Sequence, residues 1–132
     1  MEDWKKFDKY LISSFGRIMN GTTGKILKMN DDKRGYLKVG LSNDGICKTY
    51  KVHSLVAKCF IGERPYDEKR CEFYHIDHID RNKYNNHVDN LRYVTRDVNA
   101  RNSDYYIHEI TETEPKLRKK LLYKRRKNLI II

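Results

Sequence analysis

In the first half of the chain, apolar residues come in short runs interrupted every few positions by glycine, asparagine or aspartate. Tyr10–Ser13, Arg17–Met19, Lys25–Lys28, Tyr36–Leu41 and Cys47–Val52 have the length and alternation of strands. Gly16, Asn20-Gly21, Asn30–Asp32 and Asn43-Asp44-Gly45 supply the turn chemistry between them. The last group lies between two alternating segments. Its Asp-Gly pair suits the positive φ angles of a tight hairpin turn, making it the strongest hairpin signal in the chain.

The period then changes. Leu55, Val56, Cys59 and Phe60 recur at helical spacing within 52–61, and Gly62 stands where a helix would stop. A polar loop over 62–70, containing Pro65, leads to a short strand predicted at Glu72–Asp77. A long polar loop over 79–89 and a second strand at Leu91–Thr95 follow, with Thr95 placed to cap a helix running to about Asn102. The expected class is α+β: an N-terminal antiparallel sheet with one helix, then a strand-loop-strand-helix unit. Three segments are expected: an N-terminal sheet and helix module over 1–66, the second unit over 67–104, and a basic C-terminal tail over 105–132. Beyond the helix, 103–114 is polar and partly acidic, and Lys116–Lys127 is basic and compatible with a helix.

Charge narrows the class of partner. The 132 residues carry a formal net charge of +10, and the pI is about 9.5. Such a domain is drawn to polyanions, of which nucleic acid is the commonest, although membrane and ribosomal surfaces attract it too. Cys47, Cys59 and Cys71 are odd in number and form no CxxC pair, which argues against a disulfide framework and against structural zinc. They are expected to be buried free thiols in a reducing compartment. The charged N-terminal stretch and an apolar run no longer than Leu129–Ile132 lead us to expect a soluble, intracellular protein.

The chemistry gathers in Tyr74-His75-Ile76-Asp77-His78-Ile79-Asp80 and the residues that follow, through Asn85-Asn86, Asn90-Leu91, Tyr93-Val94-Thr95 and Asn99. Phosphodiester hydrolysis needs an activated water, charge relief on the phosphate and a stabilised leaving oxygen. One imidazole and one divalent cation can supply all three. Asp77-His78 followed by Asn99 on a helix offers that minimum: a base, and two hard oxygen donors suited to Mg²⁺ or Mn²⁺. In a flat strand, neighbouring Asp77 and His78 would point to opposite faces, so the strand is expected to end, twist or bulge there.

These residues closely resemble the signature of the HNH (ββα-metal) homing endonucleases, in the variant with asparagine at the third position. The resemblance implies that His78 is the general base, that Asp77 and Asn99 hold the metal, and that Asn90 ties the loop to the hairpin and orients the His78 ring. The N-terminal half resembles a motif that often precedes this nuclease unit, through Trp4, Tyr10-Leu11-Ile12-Ser13, Gly16-Arg17-Ile18, Gly24-Lys25-Ile26-Leu27, Gly35-Tyr36 and Val52-His53-Ser54-Leu55-Val56-Ala57. Together the two resemblances span about residues 4 to 102. Two positions depart from the pattern: Arg81 stands where many relatives have glycine, and Ser54 where an arginine is common.

The implied activity is hydrolysis of double-stranded DNA to 5′-phosphate and 3′-hydroxyl ends. Arg17, Lys25, Lys28, Lys38, His53, Arg92, Arg96 and Arg101 are the candidate DNA contacts. Competing readings are a DNA-binding module on the same fold that does not cleave, and an RNA- or ribosome-associated basic protein. His75 is the rival base, but on a strand it shares a face with Phe73 and Asp77 and is expected to pack. Asp80 is expected to shape its loop, and His87 and His108 to be solvated.

Overall fold

The computed structural model describes residues 1–102; the expected basic tail and His108 lie outside the described residues. The chain opens on β1 (Trp4–Phe7), which the charge of the first nine residues conceals. Lys5 and Lys6 are exposed while Trp4 and Phe7 are half-buried, so this edge strand carries the lysines that keep sheet edges from pairing with other chains. β2 (Tyr10–Ser13) and β3 (Ile18–Asn20) complete an antiparallel sheet in the order β1-β2-β3. The expected strand at Lys25–Lys28 does not form; that segment makes a single bridge between Ile26 and Met19. The next strand, β4, is Asn30–Asp31, in a stretch expected to be a turn, and it pairs with β5 (Leu37–Asn43). β5 pairs along its length with β6 (Ile46–Lys51). Asp44 and Gly45 join them at φ 52° and 78°, the left-handed pair that the Asp-Gly signal predicts.

Helix α1 (Val52–Phe60) lies at the centre of the molecule, touching β1, β2, β5, β6 and the later hairpin. Val52, Leu55 and Val56 form its buried stripe and meet Ile12 and Ile18 from the first sheet, Val39 and Leu41 from the second, and Leu91. Burying a side chain of this kind contributes about 1.5–3 kcal/mol, so this stripe holds the two sheets on one core. Tyr10 adds a polar link: its hydroxyl donates to the Ser42 carbonyl at 3.3 Å and accepts the Ser42 N–H at 2.9 Å.

The predicted strand at Glu72–Asp77 is split. β8 (Glu72–Phe73) pairs with β7 (Tyr66–Asp67), whereas β9 (His75–His78) pairs with β10 (Leu91–Val94). Tyr74 sits between them, its N–H donating to the Pro65 carbonyl at 2.8 Å. Helix α2 (Arg96–Arg101) follows Thr95, which occupies the N-cap position without a side-chain capping bond. The cysteines are free, but Cys47 and Cys71 are exposed and Cys59 is half-buried, contrary to the expected burial. Among the described residues no helix is long and apolar enough to cross a membrane.

Candidate active site

β9 runs antiparallel to β10 with Asp77 opposite Arg92 and His78 opposite Leu91. The strand ends at His78, where Ile79 N–H donates to the Asn90 carbonyl at 2.9 Å and Arg81 N–H turns back to the His78 carbonyl at 2.8 Å. Arg81 makes that turn at φ 64°. A residue in this left-handed region explains why glycine suits the position. The strand end also resolves the facing problem, because Asp77, His78 and Asn99 all line one cleft of about 390 Å³, together with Tyr36, Arg81 and Lys83.

The imidazole of His78 is buried, and its Nε2 lies 2.8 Å from Oδ1 of Asn86. A carbonyl oxygen only accepts, so Nε2 carries the proton and Nδ1 keeps the lone pair. Burial pushes the His78 pKa below the ordinary imidazole value, although the Asn86 bond and the nearby Asp77 and Asp80 pull the other way. The ring is therefore neutral at physiological pH, as a base must be.

Asn90 is not the residue that holds the ring. Its amide nitrogen donates to Asp80 Oδ1 at 2.9 Å and to the Asn85 carbonyl at 2.8 Å, while its oxygen accepts Asp80 N–H at 3.0 Å. It ties the loop, and Asn86 aims the imidazole. Asp80 accepts from Asn82, Asn85 and Asn90, the loop-shaping place expected of it. Burial works to raise the Asp80 pKa, but these bonds outweigh it and hold the carboxyl below the usual range.

Asp77 is also buried. Arg92 Nε donates to its Oδ2 at 2.9 Å, and Asn102 Nδ2 lies 2.9 Å from Oδ1 and 3.0 Å from Oδ2. The same amide nitrogen is 3.1 Å from the His78 carbonyl, so Asn102 joins the end of α2 to the end of β9. Sequence reasoning ended the helix at Asn102 without giving it a role. The available signal was its spacing: three residues after Asn99, it falls on the same helical face.

The structure separates the candidate DNA contacts. Arg92 is an internal partner of Asp77, with its side chain 12% exposed, rather than a surface cation. Arg17 pairs with Glu2 and lies over the Trp4 ring. His53 packs edge-on against Tyr36 and His78, and its pKa is pushed down to about 3 by burial and by the charges of His78, Arg64 and Lys51. It is therefore an uncharged packing residue. Lys25, Lys28 and Arg96 are exposed, and Lys38 and Arg101 half-exposed. At the departure noted for position 54, Arg64 Nη2 reaches Ser54 Oγ at 3.5 Å. His75 lines an adjoining groove rather than the cleft. His87 is not solvated: it is half-buried and stacks on Phe15 with ring centroids 4.7 Å apart.

That stacking belongs to a wider contact between the halves of the chain. Val88 N–H donates to the Ser14 carbonyl at 2.8 Å. Gly16, at φ 88°, sits so close that an added Cβ would lie 2.9 Å from the Asn86 Cβ. The β2–β3 turn thus braces the loop residue that orients His78.

A β-hairpin with a long loop, closed by a short helix and carrying Asp-His at the end of its first strand and Asn on its helix, defines a ββα nuclease unit. The HNH endonuclease family matches residues 50–101 and the NUMOD4 motif matches residues 2–42. The fold is similar to the solved structure of the HNH homing endonuclease I-HmuI, described as DNA binding and cleavage by that enzyme. The TM-score is 0.64 at 32% identity, over 86% of this chain and 68% of that one. In sequence, the chain is 39% identical over 97 residues to the DNA endonuclease I-HmuI of Bacillus phage SP01, covering 70% of this chain and 50% of that protein. It is 36% identical over 123 residues to an uncharacterized HNH endonuclease of Acanthamoeba polyphaga mimivirus, covering 91% of this chain and 33% of the relative. The chain belongs to the HNH endonuclease family. It spans about a third to a half of the length of these two curated relatives.

Proposed function

We propose that the protein hydrolyses phosphodiester bonds in double-stranded DNA, leaving 5′-phosphate and 3′-hydroxyl ends. The observation that carries this reading is the cleft itself: a neutral, oriented imidazole, a buried carboxylate and an amide side chain on one wall system, beside the cations Arg81 and Lys83. His78 Nδ1 takes a proton from the attacking water. Arg81 and Lys83 draw the phosphate toward the cleft and offset its charge.

Asp77 and Asn99 would hold one divalent cation, Mg²⁺ or Mn²⁺. Their donor chemistry fits, since both offer hard oxygens to the same cleft. Asn102 and Arg92 already fix the Asp77 carboxylate while leaving it lone-pair capacity, because an ionised carboxylate accepts at about four sites. When bound, the cation supplies Lewis-acid stabilisation of the charge that builds on the phosphate and the leaving oxygen. Lys25, Lys28, Lys38, Arg96 and Arg101 contribute phosphate contacts along the duplex.

Plasmid DNA incubated with and without Mg²⁺ and resolved on a gel tests the reading. We expect nicking that a chelator stops and that Mg²⁺ or Mn²⁺ restores. His78→Ala should slow it by about 10²–10⁴-fold with duplex affinity nearly unchanged, and His75→Ala far less. A reversal of those two effects would move the base to His75. Tight duplex binding without cleavage under any divalent cation would make the protein a binding module.

A further inference from the structure

Beside the cleft lies a second concavity of about 250 Å³, and the two share Tyr36, Ile76 and Asn99 in their walls. Its remaining lining includes Arg34, Lys51, Arg64 and Phe73, and no carboxylate. Lys51 pairs with Asp32, but among the described residues neither Arg34 nor Arg64 pairs with an acid. The two guanidinium groups without an acid partner repel one another in this concave wall, and an anion seated there relieves that repulsion. At the rim, the Phe73 ring is 56% exposed and packs T-shaped with Tyr66, itself half-exposed, with centroids 5.0 Å apart. A flat apolar ring beside unpaired guanidinium groups matches the chemistry of a nucleotide strand, which offers phosphate on one side and the faces of sugar and base on the other.

We infer that this groove is a second phosphate site, holding the backbone of the DNA strand next to the phosphodiester in the cleft. Arg34 and Arg64 bind the phosphates, and Phe73 lies against the neighbouring sugar or base. The inference rests on the DNA reading above. It extends that reading by placing Arg34, Arg64 and Phe73 together in one groove beside the cleft.

The test is equilibrium binding of the full chain to a labelled mixed-sequence duplex at several salt concentrations, with chelator present so that no cleavage intrudes. Each phosphate contact contributes about 0.9 to the slope of log affinity against log salt. Arg34→Ala with Arg64→Ala should therefore flatten the slope by about 1.8. Between about 50 and 200 mM salt, that is about tenfold less affinity lost than by the wild type. Arg34→Lys with Arg64→Lys keeps the charges and should restore the slope. Phe73→Ala should weaken binding by a similar factor at every salt concentration. An unchanged slope in the double alanine variant, with its thermal melt intact, overturns the phosphate site, and unaltered binding by Phe73→Ala overturns the ring contact. A structured RNA that binds more tightly than the duplex and shows the same change of slope overturns DNA as the occupant. Absence of plasmid nicking by the wild type would strike the proposed activity instead, leaving the slope to decide the groove.

Discussion

Asn86 shows how much a single amide can settle. Its oxygen faces His78 Nε2 at 2.8 Å, while its own nitrogen is buried with no partner among the described residues. Asn86→Asp therefore gives up no hydrogen bond and places a carboxylate against the ring. The carboxylate favours the imidazolium form, so the acid limb of the pH–rate profile should move to higher pH with the ring still aimed. Asn86→Ala removes the bond that raises the His78 pKa and frees the ring; the limb should move lower while the plateau rate falls. A profile of nicking rate against pH for the three proteins separates aiming from proton affinity, and identical profiles would show that Asn86 does neither. That Asp77, His78 and Asn99 meet in one cleft was legible in the sequence through the resemblance, whose motif fixes several polar residues at set spacings. Asn86 was not, because it is one of four asparagines between residues 82 and 90 and turns are rich in asparagine. Only the three-dimensional path of the loop distinguishes it from Asn90.

The elements were legible where a local signal decides them. The hairpin at Asp44-Gly45 and the α1 stripe formed as predicted, since turn angles and helical period are local properties. β1, the site of β4, and the break at Tyr74 were not legible, because each depends on pairing with a distant strand. Helix α2 has little burial of its own. Its six residues include none that is buried, so Asn102 at its C-cap is the buried anchor. Asn102→Ala should cost about 1.5–3 kcal/mol, the range for a hydrogen bond to a charged group, and should raise the Mg²⁺ concentration needed for half-maximal nicking. Asn102→Asp should do worse on both counts by setting a second carboxylate against Asp77. Urea melts and metal titrations of the two variants measure this, and an alanine variant with wild-type values for both would leave Asn102 no positioning role.

Across the whole molecule, the packed imidazoles of His53 and His78 make stability depend on pH. The folded-state pKa of His53 is about 3, against 6.5 for the free side chain, so the unfolded chain binds the extra proton first. The stability His53 contributes is complete above pH 6.5 and is lost as pH falls from there toward 3. His78, whose pKa is lowered in the same direction, adds to that loss. His53→Phe keeps a ring between Tyr36 and His78 but cannot titrate. Its unfolding free energy should decline less steeply than the wild type's across this window, while the remaining slope belongs to His78 and the carboxylates. Denaturant melts at a series of pH values provide the comparison, and parallel curves would show that His53 does not set the acid sensitivity.

The contact of Gly16 with Asn86 limits how such a protein can be recombined. The two matched segments look like interchangeable cassettes, but the turn of the first presses on the loop that aims the His78 ring of the second. A transplanted front cassette with a bulkier residue at this turn would push the imidazole off line without altering a single catalytic side chain. Chimeras should therefore tolerate new front cassettes only when the incoming turn brings its own glycine to this seam, making one backbone hydrogen atom a condition of compatibility between the two cassettes.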